Sequence, residues 1–180
     1  MFFIQMSGFP GSGKTTLAQE IARRTGFIIV DHDITKSALM ESLDEDKMNG
    51  KEIGKAAYNI DFAFVDFYLS QGQSVILDSP CLYDEMIKKG TKLATKHGAT
   101  YKYVECYADD FYEINKRLKK RERKISQIAG VSSEEAFYQT LRNSKKPENI
   151  HCYKVDTLLP MEAYIEDVLT YIQSNTMIHK

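Results

Sequence analysis

At 180 residues the chain has the length for one domain with a well-buried core and too little for two full ones. Its 43% hydrophobic and 27% charged content is that of a soluble globular protein, and a formal net charge of −1 argues against a surface devoted to nucleic acid, leaving room for a local basic patch. No apolar run approaches the ~20 residues that a membrane-spanning helix needs. "MFFIQMSG" lacks the basic start of a signal peptide, and Cys81, Cys106 and Cys152 are too scattered for a disulfide framework or a zinc site. A reducing, cytoplasmic setting without a membrane is expected.

Phe2–Met6 is a short run of large apolar residues and predicts a buried strand. From Lys14 onward Leu17, Ala18, Ile21 and Ala22 recur at helical spacing, and Thr25-Gly26 closes that helix. A second strand follows over 27–30, with Asp31-His32-Asp33 directly behind it. Helices are expected over 34–43 and 51–70; the second carries Ile53, Ala57, Ile60, Phe64 and Phe67 at spacings of three and four. The third strand is 74–78, the next helix 82–96, the fourth strand 101–108, and a strongly basic helix 109–124. "QIAGVSS" (127–133) breaks the pattern, a short helix covers 133–142, and 144–149 reads as a loop. A fifth strand at 151–156 and a helix at 160–174, with Pro160 near its first turn, complete the chain. Strands alternating with helices imply parallel strands joined by right-handed crossovers, hence a three-layer α/β domain.

Between the first strand and first helix lies "GFPGSGKTT". Gly8-x-x-x-x-Gly13-Lys14-Thr15 satisfies the P-loop pattern, and its strand-to-helix setting is the one the pattern requires. Gly8, Gly11 and Gly13 let backbone N–H groups converge on phosphate oxygens, with Ser12 and Thr16 beside them. The helix N-terminus adds partial positive charge. Lys14 would neutralise the β- and γ-phosphates, and the Thr15 hydroxyl would ligate Mg²⁺. These features point to a nucleoside triphosphate with its magnesium ion.

What happens to that phosphate is narrowed by absences. Asn115-Lys116-Arg117-Leu118 lacks the aspartate of a guanine reader and falls inside a helix. Asp78, placed to hold the Mg²⁺ shell, is followed by Ser79 and not by a water-polarising glutamate. Transfer to an acceptor is favoured over switching or hydrolysis. Asp31 and Asp33, ending the second strand, point to the same crevice as the P-loop, since ligands gather beyond strand carboxyl ends. One of them would accept the proton of an acceptor hydroxyl and the other would cap the next helix. Lys36 would hold an anionic part of the acceptor, and Tyr58 could face it. "KRLKKRERK" (116–124) puts seven cations in nine residues, and Arg117 and Arg121, four apart, would share a helical face. Their guanidinium forks suit phosphate oxygens in transit, which reads as a mobile lid over about 110–145, or else as a solvated face or nucleic-acid patch.

"GFPGSGKTT", "IIVDHDITK", "VILDSP", "NKRLKKR" and "VDT" together resemble the small P-loop kinases: gluconate and shikimate kinases, chloramphenicol phosphotransferase, polynucleotide 5′-kinases, zeta-toxin kinases and AAA-type predicted kinases. The resemblance runs through nearly the whole chain in element order. It implies a five-stranded parallel sheet of order 2-3-1-4-5 with a helical lid between the fourth strand and the last, and ATP and Mg²⁺ as cofactors. By position it puts the base at Asp33, the lid arginines at Arg117 and Arg121, and an adenine-bordering segment at Asp156 and Thr157. "DSPCLYDE" lacks the arginines and glycine-rich loop of shikimate kinases. The expected reaction is phosphotransfer to a hydroxyl of a small-molecule or nucleotide-like acceptor, a nucleic-acid 5′ end being less favoured by the net charge. A P-loop protein that binds ATP for regulation, or in association with nucleic acid, without phosphotransfer is the alternative. Protein partners are not legible.

Overall fold

The computed structural model describes residues 1–43, 49–148 and 150–174. Its five strands, β1 (Phe2–Ser7), β2 (Ile28–Asp31), β3 (Val75–Asp78), β4 (Thr100–Tyr107) and β5 (Cys152–Asp156), form one parallel sheet of order β2-β3-β1-β4-β5, as expected. The helices are α1 (Lys14–Thr25), α2 (His32–Ser42), α3 (Gly50–Ser70), α4 (Asp84–His97), α5 (Phe111–Lys120), α6 (Glu134–Arg142) and α7 (Ile165–Gln173).

Alternation along β1 shows why three layers form. Ile4 and Met6 pack into one core with Leu17 and Ile21 of α1 and Val168 and Ile172 of α7. Phe3, between them, faces the opposite core with Phe62, Val65 and Leu69 of α3 and Met86 and Ala94 of α4. Both faces of the strand are buried, so it reads as continuous apolar sequence and not as a polar–apolar alternation. A third, smaller cluster lies apart from the sheet, where Phe9 of the P-loop meets Ile114 and Leu118 of α5 and Phe137 of α6.

Most boundaries fall within two residues of expectation, and three departures have a clear physical reason. α2 starts at His32, two residues early, because the Asp31 carboxylate caps it by accepting the backbone N–H groups of Asp33 (2.8 Å) and Ile34 (3.3 Å). α5 stops at Lys120, four residues short, so Arg121 is extended (φ −72°, ψ 148°) and not on the helical face of Arg117. After Ile114 and Leu118 no apolar residue continues the buried stripe, Ile125 being 47% exposed, and another turn would bury nothing. The last helix begins at Ile165, preceded by a single 3₁₀ turn at Met161–Ala163 that follows Pro160. The loop expected at 144–149 is irregular chain as far as 148, and residue 149 lies outside the described residues. Cys81, Cys106 and Cys152 are free thiols. Among the described residues no helix is long and apolar enough to cross a membrane.

Candidate active site

The sheet order reverses around β1, and β1 ends in the P-loop. β2 and β3 are in register with Asp31 beside Asp78, so both carboxylates reach the same sheet edge. A cleft of about 1110 Å³ opens there, lined by the loop, the starts of α1 and α2, and side chains from α3, α4, α5 and the segment after α5.

Two glycines of the loop have an exacting reason to be glycine. Gly8 has φ +137°, and a Cβ there would stand 2.3 Å from the Cys106 carbonyl oxygen of β4. Gly13 caps α1 in the left-handed region, φ +82°. Gly11 packs against the Leu118 side chain, which seats α5 on the loop. Lys14 is buried, and its Nζ donates to the carbonyls of Gly8 (3.0 Å) and Phe9 (3.1 Å), so the cation is held over the loop. Thr15 and Thr16 line the cleft; Gly8 and Ser12 stand behind the lining, with Ser12 Oγ buried and without a partner.

Asp78 is 3% exposed, and its Oδ2 is buried with no hydrogen-bond partner. Burial pushes its carboxyl pKa up, against the opposing pull of Lys14 and the Thr15 hydroxyl. An orphaned carboxylate oxygen next to a threonine hydroxyl is a donor set for a hard cation with oxygen ligands.

Of the aspartate pair, only Asp33 lines the cleft. Asp31 is turned to the α2 cap, with Lys124 Nζ 3.6 Å from its other oxygen. Lys36, one turn beyond Asp33, lines the same wall. Arg117 and Arg121 both line the cleft, although they no longer share a helix. Arg117 donates to Glu113 (3.0 Å) and to the Thr157 carbonyl (2.9 Å). Arg121 donates to the Ile128 carbonyl (3.0 Å), its Nε is buried unpartnered, and burial lowers its pKa. Thr157 lines the cleft beside Gly13 and donates its hydroxyl to the Tyr107 carbonyl at 3.0 Å. Asp156 lies outside the lining, exposed, and accepts the Leu158 N–H at 3.0 Å. Tyr58 lines the cleft and donates to the Pro80 carbonyl at 3.0 Å.

Two features of the site escape sequence reasoning. The first is a latch from the segment after α5 onto α2: Gln127 Nε2 donates to Asp33 Oδ2 (2.7 Å), while Ser126 Oγ lies 2.9 Å from Ser37 Oγ and 3.2 Å from the Asp33 carbonyl. No local pattern links residues 94 apart. The second is the pairing of His32 with Asp61 of α3 at 2.7 Å, both buried. Its signal was present in the sequence: Asp61 falls four residues from Ala57 and from Val65, on the core-facing stripe, where a carboxylate requires a partner.

The family described as AAA domain matches residues 3–145. Among solved structures, a candidate kinase from Chloroflexus aurantiacus superposes with a TM-score of 0.74 at 24% identity, covering 97% of each chain. A gluconokinase from Sinorhizobium meliloti gives 0.62 at 16%, covering 95% of this chain and 91% of its own. The APS kinase of Mycobacterium tuberculosis, in complex with AMPPNP and APS, gives 0.62 at 15%, covering 96% and 98%. No curated protein matches in sequence. Matched over most of its length, the chain belongs to the AAA domain family and carries the fold of the small P-loop kinases.

Proposed function

We propose that this protein transfers the γ-phosphoryl group of ATP to a hydroxyl of a small-molecule or nucleotide-like acceptor. The observation that carries the reading is the cleft itself. It continues past the P-loop and Asp33 to walls made by α3 and α4, with side chains such as Tyr58, Asn59 and Lys89 lining the part away from the phosphate loop. A hydrolase or switch needs no second compartment. One structural neighbour holds a nucleotide analogue together with APS, which supports a two-ligand reading of the same fold.

The chemistry follows from the residues. The loop amides and Lys14 bind the phosphate chain, with Thr157 packed beside Gly13 at the start of α1. Thr15 and Asp78 would hold Mg²⁺, which neutralises charge on the phosphates when bound. The acceptor oxygen forms the new bond to the γ-phosphorus, the bond from that phosphorus to the β,γ-bridging oxygen breaks, and ADP leaves. Asp33 takes the hydroxyl proton, and Lys36 holds an anionic part of the acceptor. Arg117 and Arg121 stabilise charge on the phosphoryl group in transit from residues 110–145, read as a lid that excludes water. Arg121 Nε is buried without a hydrogen-bond partner, so a rearrangement of this segment that brought it to the phosphoryl group would also satisfy it.

The test is transfer of labelled γ-phosphate from Mg-ATP to a pool of nucleosides, sugars, sugar nucleotides, hydroxylated antibiotics and 5′-hydroxyl oligonucleotides. A labelled product is expected, lost with Lys14→Ala and Asp33→Asn. A native chain that binds ATP and labels nothing would favour the regulatory ATP-binding alternative.

A further inference from the structure

His32 opens α2, lines the cleft and is 4% exposed. Its Nδ1 lies 2.7 Å from Oδ2 of Asp61, which is fully buried in α3. A carboxylate only accepts, so Nδ1 carries the proton and is spent on Asp61. The imidazole also lies flat on Tyr58, with ring centroids 3.8 Å apart and planes at 12°, while the Tyr58 hydroxyl is tied to Pro80. The ring is therefore held by one edge and one face.

Such an arrangement is costly for packing alone. Asp61 Oδ1 is buried with no partner, so the carboxylate depends on His32 for its compensation. An apolar pair of similar volume would fill the space at no such cost. His32 Nε2 has no protein partner among the described residues. On a ring that lines the cleft, that nitrogen is the one left for a ligand.

We propose that His32 is a second acceptor-binding group, hydrogen-bonding the acceptor through Nε2, with Asp61 as its positioning residue. The proposal rests on the phosphotransferase reading of this cleft and names its substrate class. An imidazole nitrogen accepts or donates according to its protonation, and a hydroxyl does both, so a hydroxyl matches His32 in either state. Asp33, the next residue, takes the reacting hydroxyl. The acceptor accordingly presents two hydroxyls, as a sugar, polyol or ribose does, and a lone alcohol is a poor substrate.

The experiment is the labelled transfer assay with each sugar and nucleoside paired with its singly deoxygenated counterparts, run on the native chain and on His32→Asn. Asparagine keeps a donor for Asp61 and removes the group at Nε2. In the native chain, removal of one hydroxyl other than the phosphorylated one should lower kcat/KM at least about tenfold, because the site's polar group is left unpaired. His32→Asn should lower kcat/KM for the intact acceptor by a similar factor, leave the ATP Kd unchanged, and abolish the discrimination between the pair. A native chain that phosphorylates an acceptor and every counterpart equally well overturns the proposal without recourse to a variant. So does a folded His32→Asn chain with native kinetics and discrimination. Confirmed ATP binding with no labelled acceptor overturns the phosphotransferase reading itself, and the proposal with it.

Discussion

Asp78→Asn should move the stability of this protein in opposite directions with and without Mg-ATP. In the free protein the Asp78 carboxylate is 3% exposed and one of its oxygens has no partner. Burial raises its pKa above the ordinary carboxylate value, Lys14 and Thr15 opposing. A carboxyl whose folded-state pKa is raised contributes its full stabilisation below the unfolded pKa and loses it as pH rises through the folded one. At neutral pH the buried charge is a cost, at least ~1 kcal/mol for an incompletely paired carboxylate. Asparagine keeps the shape and removes the charge. With ~2.1 cal/mol/K of unfolding entropy per residue, 180 residues give about 0.38 kcal/mol/K, so the variant should melt about 3 °C or more above the native chain. That gain should shrink as the pH is lowered and the native carboxyl protonates. Mg-ATP at a hundred times its Kd adds about 2.7 kcal/mol to the native chain, or ~7 °C on the same scale. The variant should lose most of that increment. Thermal melts with and without Mg-ATP, from neutral pH downward, read both effects. A lower melting point for the free variant, or an undiminished Mg-ATP increment, would refute the reasoning.

Within the aspartate pair, Asp33→Asn should cut turnover at least ~10²-fold with ATP affinity kept, whereas Asp31→Ala should mainly cost ~1 kcal/mol of stability through loss of the α2 cap. Kinetics and denaturant melts on both variants decide, and exchanged phenotypes would move the base to Asp31. Arg117→Ala and Arg121→Ala should each lower kcat by more than they raise the ATP Kd. Turnover unchanged in both would return the basic segment to a solvated surface. Gly8→Ala places a Cβ 2.3 Å from the Cys106 carbonyl at a φ of +137°, and should destabilise the chain by at least ~2 kcal/mol in urea unfolding while abolishing ATP binding. An alanine variant that binds ATP normally would show that the loop tolerates a side chain there.

Short-range sequence patterns determined the frame. Apolar strands alternating with amphipathic helices dictate a parallel sheet, and Gly8 to Thr15, set between a strand and a helix, can do little but bend amides toward an anion. The strand order came from the resemblance to the small P-loop kinases, whereas the meeting of P-loop, Asp78 and the Asp31/Asp33 pair was legible because ligands gather beyond the carboxyl ends of the strands that carry them. Helix ends were less so, because they depend on what a further turn would bury. α5 stops at Lys120 for want of an apolar neighbour, and Arg121 reaches the cleft from extended chain. Only the tertiary structure decided that Asp31 caps while Asp33 faces the cleft, that Gln127 reaches Asp33, and that His32 rests on Asp61. Those contacts join residues far apart in the chain, and their energies come from burial and pairing that exist once the elements have packed.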